Sequence, residues 1–277
     1  MEAIRYAKSL GMTTVAGAWM DNRPGASQAE LNCLIDLAKE GVVDLASVGS
    51  EVLTWNGLNA NQIVDYINQF KAAVPDVPVT TAVKYEALIE AKNHKVIAAC
   101  DIVYVNFYPF WSGYHIDQSL SVLIQEYNDI VNLSGDKPVW ISETGWPSNG
   151  SCANGAAVPN AANQERYLRE VMEWTSGQSV VLSWFDAFEA LYKDGSEWCN
   201  VASHVSKDLQ LDRTSLCPRL LSHILVFLQS TFKMHSGVYL TPMETSSQDL
   251  PVFFLRSTVI KALIRNENFA IVQAKKQ

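Results

Sequence analysis

Between residues 3 and 185 the apolar positions switch repeatedly between a helical stripe and a short continuous run. Ile4, Ala7 and Leu10 recur at helical spacing and predict a helix over 3–10, ended by Gly11. Met12–Trp19 then reads as a strand. Ser27 and Glu30 form a candidate capping box for a helix over 28–40, with Leu31, Leu34, Ile35 and Ala38 facing inward. A second strand covers 44–49 and runs on to Glu51. Asn59 is a candidate cap for a helix over 60–73, followed by a strand at 77–82 and an irregular helical stretch over 85–99. The pattern then gives a strand at 101–108, a helix at 119–131, a strand from Val139 ending at Glu143, a helix at 163–175 and a strand at 180–185.

Near-continuous apolar strands separated by amphipathic helices predict parallel β/α units with helices covering the sheet. The expected fold is α/β, a (β/α)8 TIM-type barrel of which this chain carries about six of eight units. The chain opens on a helix, so the two further strands are expected before Met1. After Gly195 the alternation stops. Apolar patches at 220–228 and 252–255 show no β/α order. The expected organisation is a partial barrel over 1–204 and an unrelated tail over 205–277, of the kind a misread exon or intron would supply.

Composition narrows the possible partners. With 277 residues, 48% hydrophobic and 18% charged, the chain is ordinary globular material, and its net charge of −8 disfavours nucleic acid or an anionic membrane as partner. No run reaches the ~18 apolar residues a membrane span needs, and the first residues do not read as a signal peptide. The five cysteines have no Cys-x-x-Cys spacing and the five histidines no ligand spacing, so neither zinc nor any other cofactor is expected. Two Asn-x-Ser sequons, at Asn132 and Asn149, would accept glycans in a secretory compartment.

Two carboxylates stand where predicted strands end. Glu143 follows the apolar run Val139-Trp140-Ile141 and precedes Gly145-Trp146-Pro147; Glu51 ends Val48-Gly49-Ser50. Each has two readings. Glu143 is either a strand-end carboxylate paired with a nearby cation or a catalytic group facing a sugar stacked on Trp146 or another aromatic. Glu51 is either a helix-start carboxylate or a catalytic partner. In β/α barrels the active site collects at the carboxyl ends of the strands, which is where both would lie. Trp19, Trp111, Trp146 and Trp184 fall near the same ends, and indole matches the apolar CH face of a sugar ring.

Ile141-Ser142-Glu143-Thr144-Gly145-Trp146-Pro147-Ser148 resembles the nucleophile motif of glycoside hydrolase family 17, the β-1,3-glucanases and related glucanosyltransferases. The resemblance runs from about Ala3 to Lys193. It implies a retaining glycosidase acting on β-1,3-glucan, with Glu143 as nucleophile and Glu51, in Val48-Gly49-Ser50-Glu51, as acid/base. Ser50 stands where many relatives carry an Asn that binds the sugar 2-hydroxyl. Tyr108 matches a tyrosine that hydrogen-bonds the nucleophile, with Asn106 two residues earlier on the same strand face; Tyr108 also reads as a core residue. Phe188 and Lys193 match a downstream motif in which Ala190 replaces a Glu, and Trp111 is a further candidate for substrate binding. A disulfide between Cys152 and Cys199 beside the cleft loop is a further possibility. The resemblance implies a β-glucan oligo- or polysaccharide as partner, a monomer, and a secreted or wall-associated setting. Three function readings stay open: a glucan hydrolase, a glucanosyltransferase, and a non-catalytic glucan-binding or inactive fragment. A metal- or cofactor-dependent barrel enzyme is disfavoured.

Overall fold

The structure is a computed structural model, and it describes residues 2–55, 57–150 and 155–185, together with two short strands at 224–226 and 272–274. Six parallel strands follow one another across the sheet in chain order: β1 Thr14–Ala18, β2 Leu45–Ser50, β3 Val79–Lys84, β4 Val103–Asn106, β5 Val139–Thr144 and β6 Leu182–Trp184. Helices α1 Glu2–Ser9, α2 Ala26–Lys39, α3 Ala60–Ala73, α6 Ile116–Ser134 and α7 Ala161–Gln178 alternate with them. Between β3 and β4 the chain runs through α4 Tyr85–Leu88, a 3₁₀ turn at Ala91–Asn93 and α5 His94–Ala99, which is the irregularity expected there. This is the expected partial β/α barrel. On the outer edge of β1 lies an antiparallel strand, β7 Ile224–Val226, and beyond it β8 Val272–Ala274. The segment after 205 therefore adds two strands to the sheet, which its apolar pattern alone did not predict.

The strands are apolar on both faces because each face has its own core. Leu31, Leu34, Ile63, Ile67, Phe70, Val105, Ile141 and Tyr167 belong to the large cluster between sheet and helices. Val15, Leu45, Ala82, Ile102 and Tyr104, with Trp140 against them, form a smaller cluster on the other face, the inside of the curl. Residues two apart share a face, so Tyr104 and Asn106 project inward together.

The ends opposite the site are stitched by one device used twice. Asp44, just before β2, accepts from the Thr14 amide at 2.7 Å and from Lys8 Nζ at 2.5 Å. Asp101, just before β4, accepts from the Val79 amide at 2.9 Å and from Lys71 Nζ at 2.5 Å. Each carboxylate satisfies the first N–H of the preceding strand and pairs with a lysine from the helix beside it. Lys137 closes the end of α5 by donating to the carbonyls of Ile97, Ala98 and Cys100 at 2.7–2.9 Å.

Asn59 caps α3 as expected. Its side chain accepts from the amides of Asn61 and Gln62 while Gln62 reaches back to the Asn59 amide. The capping box expected at Ser27 and Glu30 is absent. α2 begins at Ala26 behind Gly25, whose φ of 73° starts the helix without a side-chain cap. The Ser27 hydroxyl is turned back onto the Asp21 backbone, donating to its carbonyl and accepting from its amide. Among the described residues no helix is long and apolar enough to cross a membrane.

Candidate active site

Both glutamates emerge from irregularities in otherwise regular strands. In β5 the ladder with β4 pairs Val105 with Ile141 and then Asn106 with Glu143, one residue being extra on β5. That bulge decides which way Glu143 points. By strict alternation Glu143 would share the helix-side face with buried Ile141. With one residue inserted, Ser142 and Glu143 both line the inner cavity, and Thr144 turns outward to meet the Tyr167 hydroxyl on α7 at 2.9 Å. In β2 the ladder with β3 slips in the same sense between Ser47 and Ser50. Gly49 has a φ of 89°, and a Cβ there would lie 2.6 Å from Val52 Cγ1, so the bend requires glycine. Glu51 itself has a φ of 52°, a left-handed conformation that costs a non-glycine residue on the order of 1–3 kcal/mol. Its amide donates to the Ala82 carbonyl at 2.9 Å, and its own carbonyl accepts from Thr54 and Trp55.

The Glu51 carboxylate is mostly covered, with 19% of the side chain exposed. Asn106 Nδ2 donates to one oxygen at 2.8 Å; the indole N–H of Trp55 donates to the other at 2.7 Å, and Lys84 Nζ lies 3.9 Å from that second oxygen. Asn106 is buried, and its Oδ1 accepts a hydrogen bond from the Ser142 hydroxyl. The Tyr108 hydroxyl donates to Glu143 Oε2 at 2.8 Å, and the Phe107 amide donates to the Glu143 carbonyl. Two hydrogen-bonded sets thus meet here, Glu51–Asn106–Ser142 and Tyr108–Glu143, joined through the backbone of β5 where Glu143 follows Ser142. Beneath them Tyr104 shares the inner cavity with Glu143. Burial, reinforced by the Glu143 charge, pushes its phenol well above the usual value, so it stays neutral.

Ser50 and Trp19 line the same inner cavity as Glu143. Trp111 stands half-open on the loop after β4, edge-on to Phe110 at 4.9 Å. Trp146 needs correction as a sugar platform. It is 1% exposed, wedged between Phe110 and Tyr167, with its indole N–H spent on the Val158 carbonyl. It supports the loop after Glu143 and offers no open face. Phe188, Lys193 and both cysteines of the suggested 152–199 pair lie outside the described residues. Trp55 and Lys84 did not emerge from the sequence as site residues. The available signals were the position of Trp55 one helical turn beyond Glu51 and of Lys84 at the end of the strand between the two that carry Glu51 and Asn106. Among the described residues no group of acidic, His and Cys side chains is arranged to hold a metal ion.

The sequence profile of the BtgE/BtgC glycoside hydrolase domain matches residues 2–204. The chain belongs to that family. Among solved structures, the glycoside hydrolase family 17 β-1,3-glucanosyltransferase of Rhizomucor miehei is 32% identical, with a TM-score of 0.63 over 70% of this chain and 72% of that one. An endo-laminarinase from Formosa, 20% identical with a TM-score of 0.60, shares the fold. Among curated relatives of this BtgE/BtgC domain, a glucan 1,3-beta-glucosidase of Saccharomyces cerevisiae is 27% identical over 206 residues, which is 68% of this chain and 66% of that protein. A probable beta-glucosidase, btgE, of Neosartorya fischeri is 26% identical over 185 residues, covering 65% of this chain and 33% of that protein. The chain thus spans one-third to two-thirds of the length of these curated relatives.

Proposed function

We propose that the protein cleaves β-1,3-glucan by double displacement, with Glu143 as nucleophile and Glu51 as acid/base. Protonated Glu51 donates to the leaving glycosidic oxygen while a Glu143 carboxylate oxygen attacks the anomeric carbon, giving a glycosyl ester and a free sugar hydroxyl. Glu51, now ionised, removes a proton from water or from another sugar hydroxyl, whose oxygen displaces Glu143 and restores both carboxyls. Retention requires the two carboxyl groups to lie about 5–5.5 Å apart across one sugar ring. The observation that carries this reading is Asn106. Its side chain holds Glu51, while its backbone sits in register with Glu143 on the adjacent strand. The hydroxyl of Tyr108 supports the charged form of Glu143 by donating to it.

The names of the relatives favour β-1,3-glucan as substrate. They include both a glucosidase and a glucanosyltransferase, and the two outcomes share every step except the final acceptor. The third reading, a glucan-binding remnant, has the six parallel strands and the antiparallel β7–β8 edge in its favour. Release of reducing sugar from laminarin by the wild-type chain separates it from the enzymatic readings. Glu143→Gln is expected to lower kcat by roughly 10³-fold or more; a variant within tenfold of wild type overturns the assignment of the nucleophile.

A further inference from the structure

Trp55 is 67% exposed, yet it is tightly held. Its backbone N–H donates to the Glu51 carbonyl at 3.1 Å, its indole N–H donates to Glu51 Oε2 at 2.7 Å, and Lys84 Nζ lies 4.8 Å from the ring centroid. An N–H anchored in a carboxylate and a cation over the ring fix the plane of the indole. Scattered exposed aromatics need no explanation. This one is set in place and forms the rim of a groove.

The groove has a volume of about 740 Å³, in the range of sites that enclose small organic ligands. It runs from Trp55 between the start of α3 and the stretch from α4 into α5, and Lys95 Nζ reaches across it to Asn61 Oδ1 at 2.7 Å. Trp55, Leu58 and Ala87 give it apolar surface; Glu86, Lys92 and Lys95 give it donors and acceptors of both signs. A phosphate chain would meet the carboxylates and a polycation the lysines. A neutral polyol with apolar ring faces and a hydroxyl rim is opposed by neither. The groove also starts beside Glu51 rather than beside Glu143. In double displacement the acid protonates the leaving oxygen, so the sugars beyond that oxygen lie on the acid's side.

We propose that this groove binds the glucan chain on the leaving-group side of the cleaved bond, with the Trp55 ring as its first platform, and admits the acceptor chain by the same path in transfer. The assignment rests on the reading of Glu51 as acid/base. It predicts that catalytic efficiency depends on how many sugars extend past the cleaved bond, and that this dependence can be removed from positions well away from Glu51.

The test uses the full chain, its Ala87→Trp variant, which fills the groove, and a Lys92→Ala, Lys95→Ala double variant. Each is given laminarihexaose and 4-nitrophenyl laminaribioside, the latter carrying no sugar beyond the bond that releases nitrophenol. The readout is the ratio of the two kcat/KM values, which cancels any general loss of active protein. The ratio is expected to fall about tenfold or more in Ala87→Trp and about threefold in the double variant. Ratios within twofold of wild type in both variants, with wild type cleaving both substrates, overturn the groove assignment alone. A wild-type chain that cleaves neither overturns the reading of Glu51 and Glu143, and the groove assignment with it. Should Ala87→Trp lack the wild-type circular dichroism spectrum, the double variant decides by the same ratio.

Discussion

Asn106 shows how much of the site depends on one neutral side chain. Its amide nitrogen donates to Glu51 and its amide oxygen accepts from Ser142, so both ends of the amide are engaged. Asn106→Ala leaves a carboxylate oxygen and a buried hydroxyl each short of a partner, at about 1–3 kcal/mol apiece. We expect kcat on laminarin to drop about 100-fold, with a fall in melting temperature that calorimetry will register. Tyr108 was legible only through the family resemblance, since its strand-end position reads equally as a core residue, and Asn106 followed from it by lying two residues earlier on the same face. Trp146 was misjudged for a different reason. Nearness to Glu143 in sequence says nothing of direction, and once Thr144 has turned toward α7 the chain carries Trp146 into the helix-side core. Trp55 was missed because its partner Glu51 bends into a left-handed conformation that no apolar pattern announces.

At the scale of the element, the bulges deserve most of the credit for the site's geometry. The strands and helices themselves follow from apolar periodicity, and every parallel strand expected from the pattern is present. The register slips in β2 and β5 are invisible to that pattern, because an inserted residue leaves the composition of a buried strand unchanged. Gly49 is the one sequence trace of the first slip. Gly49→Ala forces a Cβ to within 2.6 Å of the buried Val52 side chain at a φ of 89°. It is expected to cost about 2 kcal/mol in thermal or urea denaturation. Because the bend aims Glu51, kcat is expected to fall further than the lost stability explains. A variant with wild-type kcat and a normal melt would show that the bend is dispensable.

The whole molecule carries a pH dependence that originates away from the site. Glu126 on α6 is 8% exposed; burial, then the charges of Glu86 and Asp129, pushes its carboxyl up from 4.5 to about 7. Tyr85 donates to Asp129 at 3.0 Å on the same side of α6. Between pH 4.5 and 7 the folded chain therefore holds a proton that the unfolded chain has released, so stability falls as pH rises through that window. Glu126→Gln is expected to flatten this slope and to raise the melting temperature at pH 8 by about 2–4 °C; an unchanged slope in differential scanning calorimetry would remove Glu126 as its source. We also propose that residues 1–204 form the structural unit and 205–277 an appendage. Limited proteolysis is expected to trim the chain to about residue 204 without loss of the main cooperative melt, and a protease-resistant tail with its own transition would contradict this. The sequence could not anticipate that β7 and β8 would join the edge of β1, since three-residue strands leave no periodic trace.

The bond from the Trp55 ring to Glu51 leaves the protein without separate controls for reactivity and for grip. If Glu51 is the proton donor and Trp55 a platform, as proposed, any replacement at 55 that reshapes the ring also removes a partner of the donor, and any replacement at 51 leaves the ring held by Lys84 alone. Divergence in preferred product length would then have to proceed through the outlying Ala87, Lys92 and Lys95, where a subsite can be gained or lost one ring at a time while the reacting pair stays as it is.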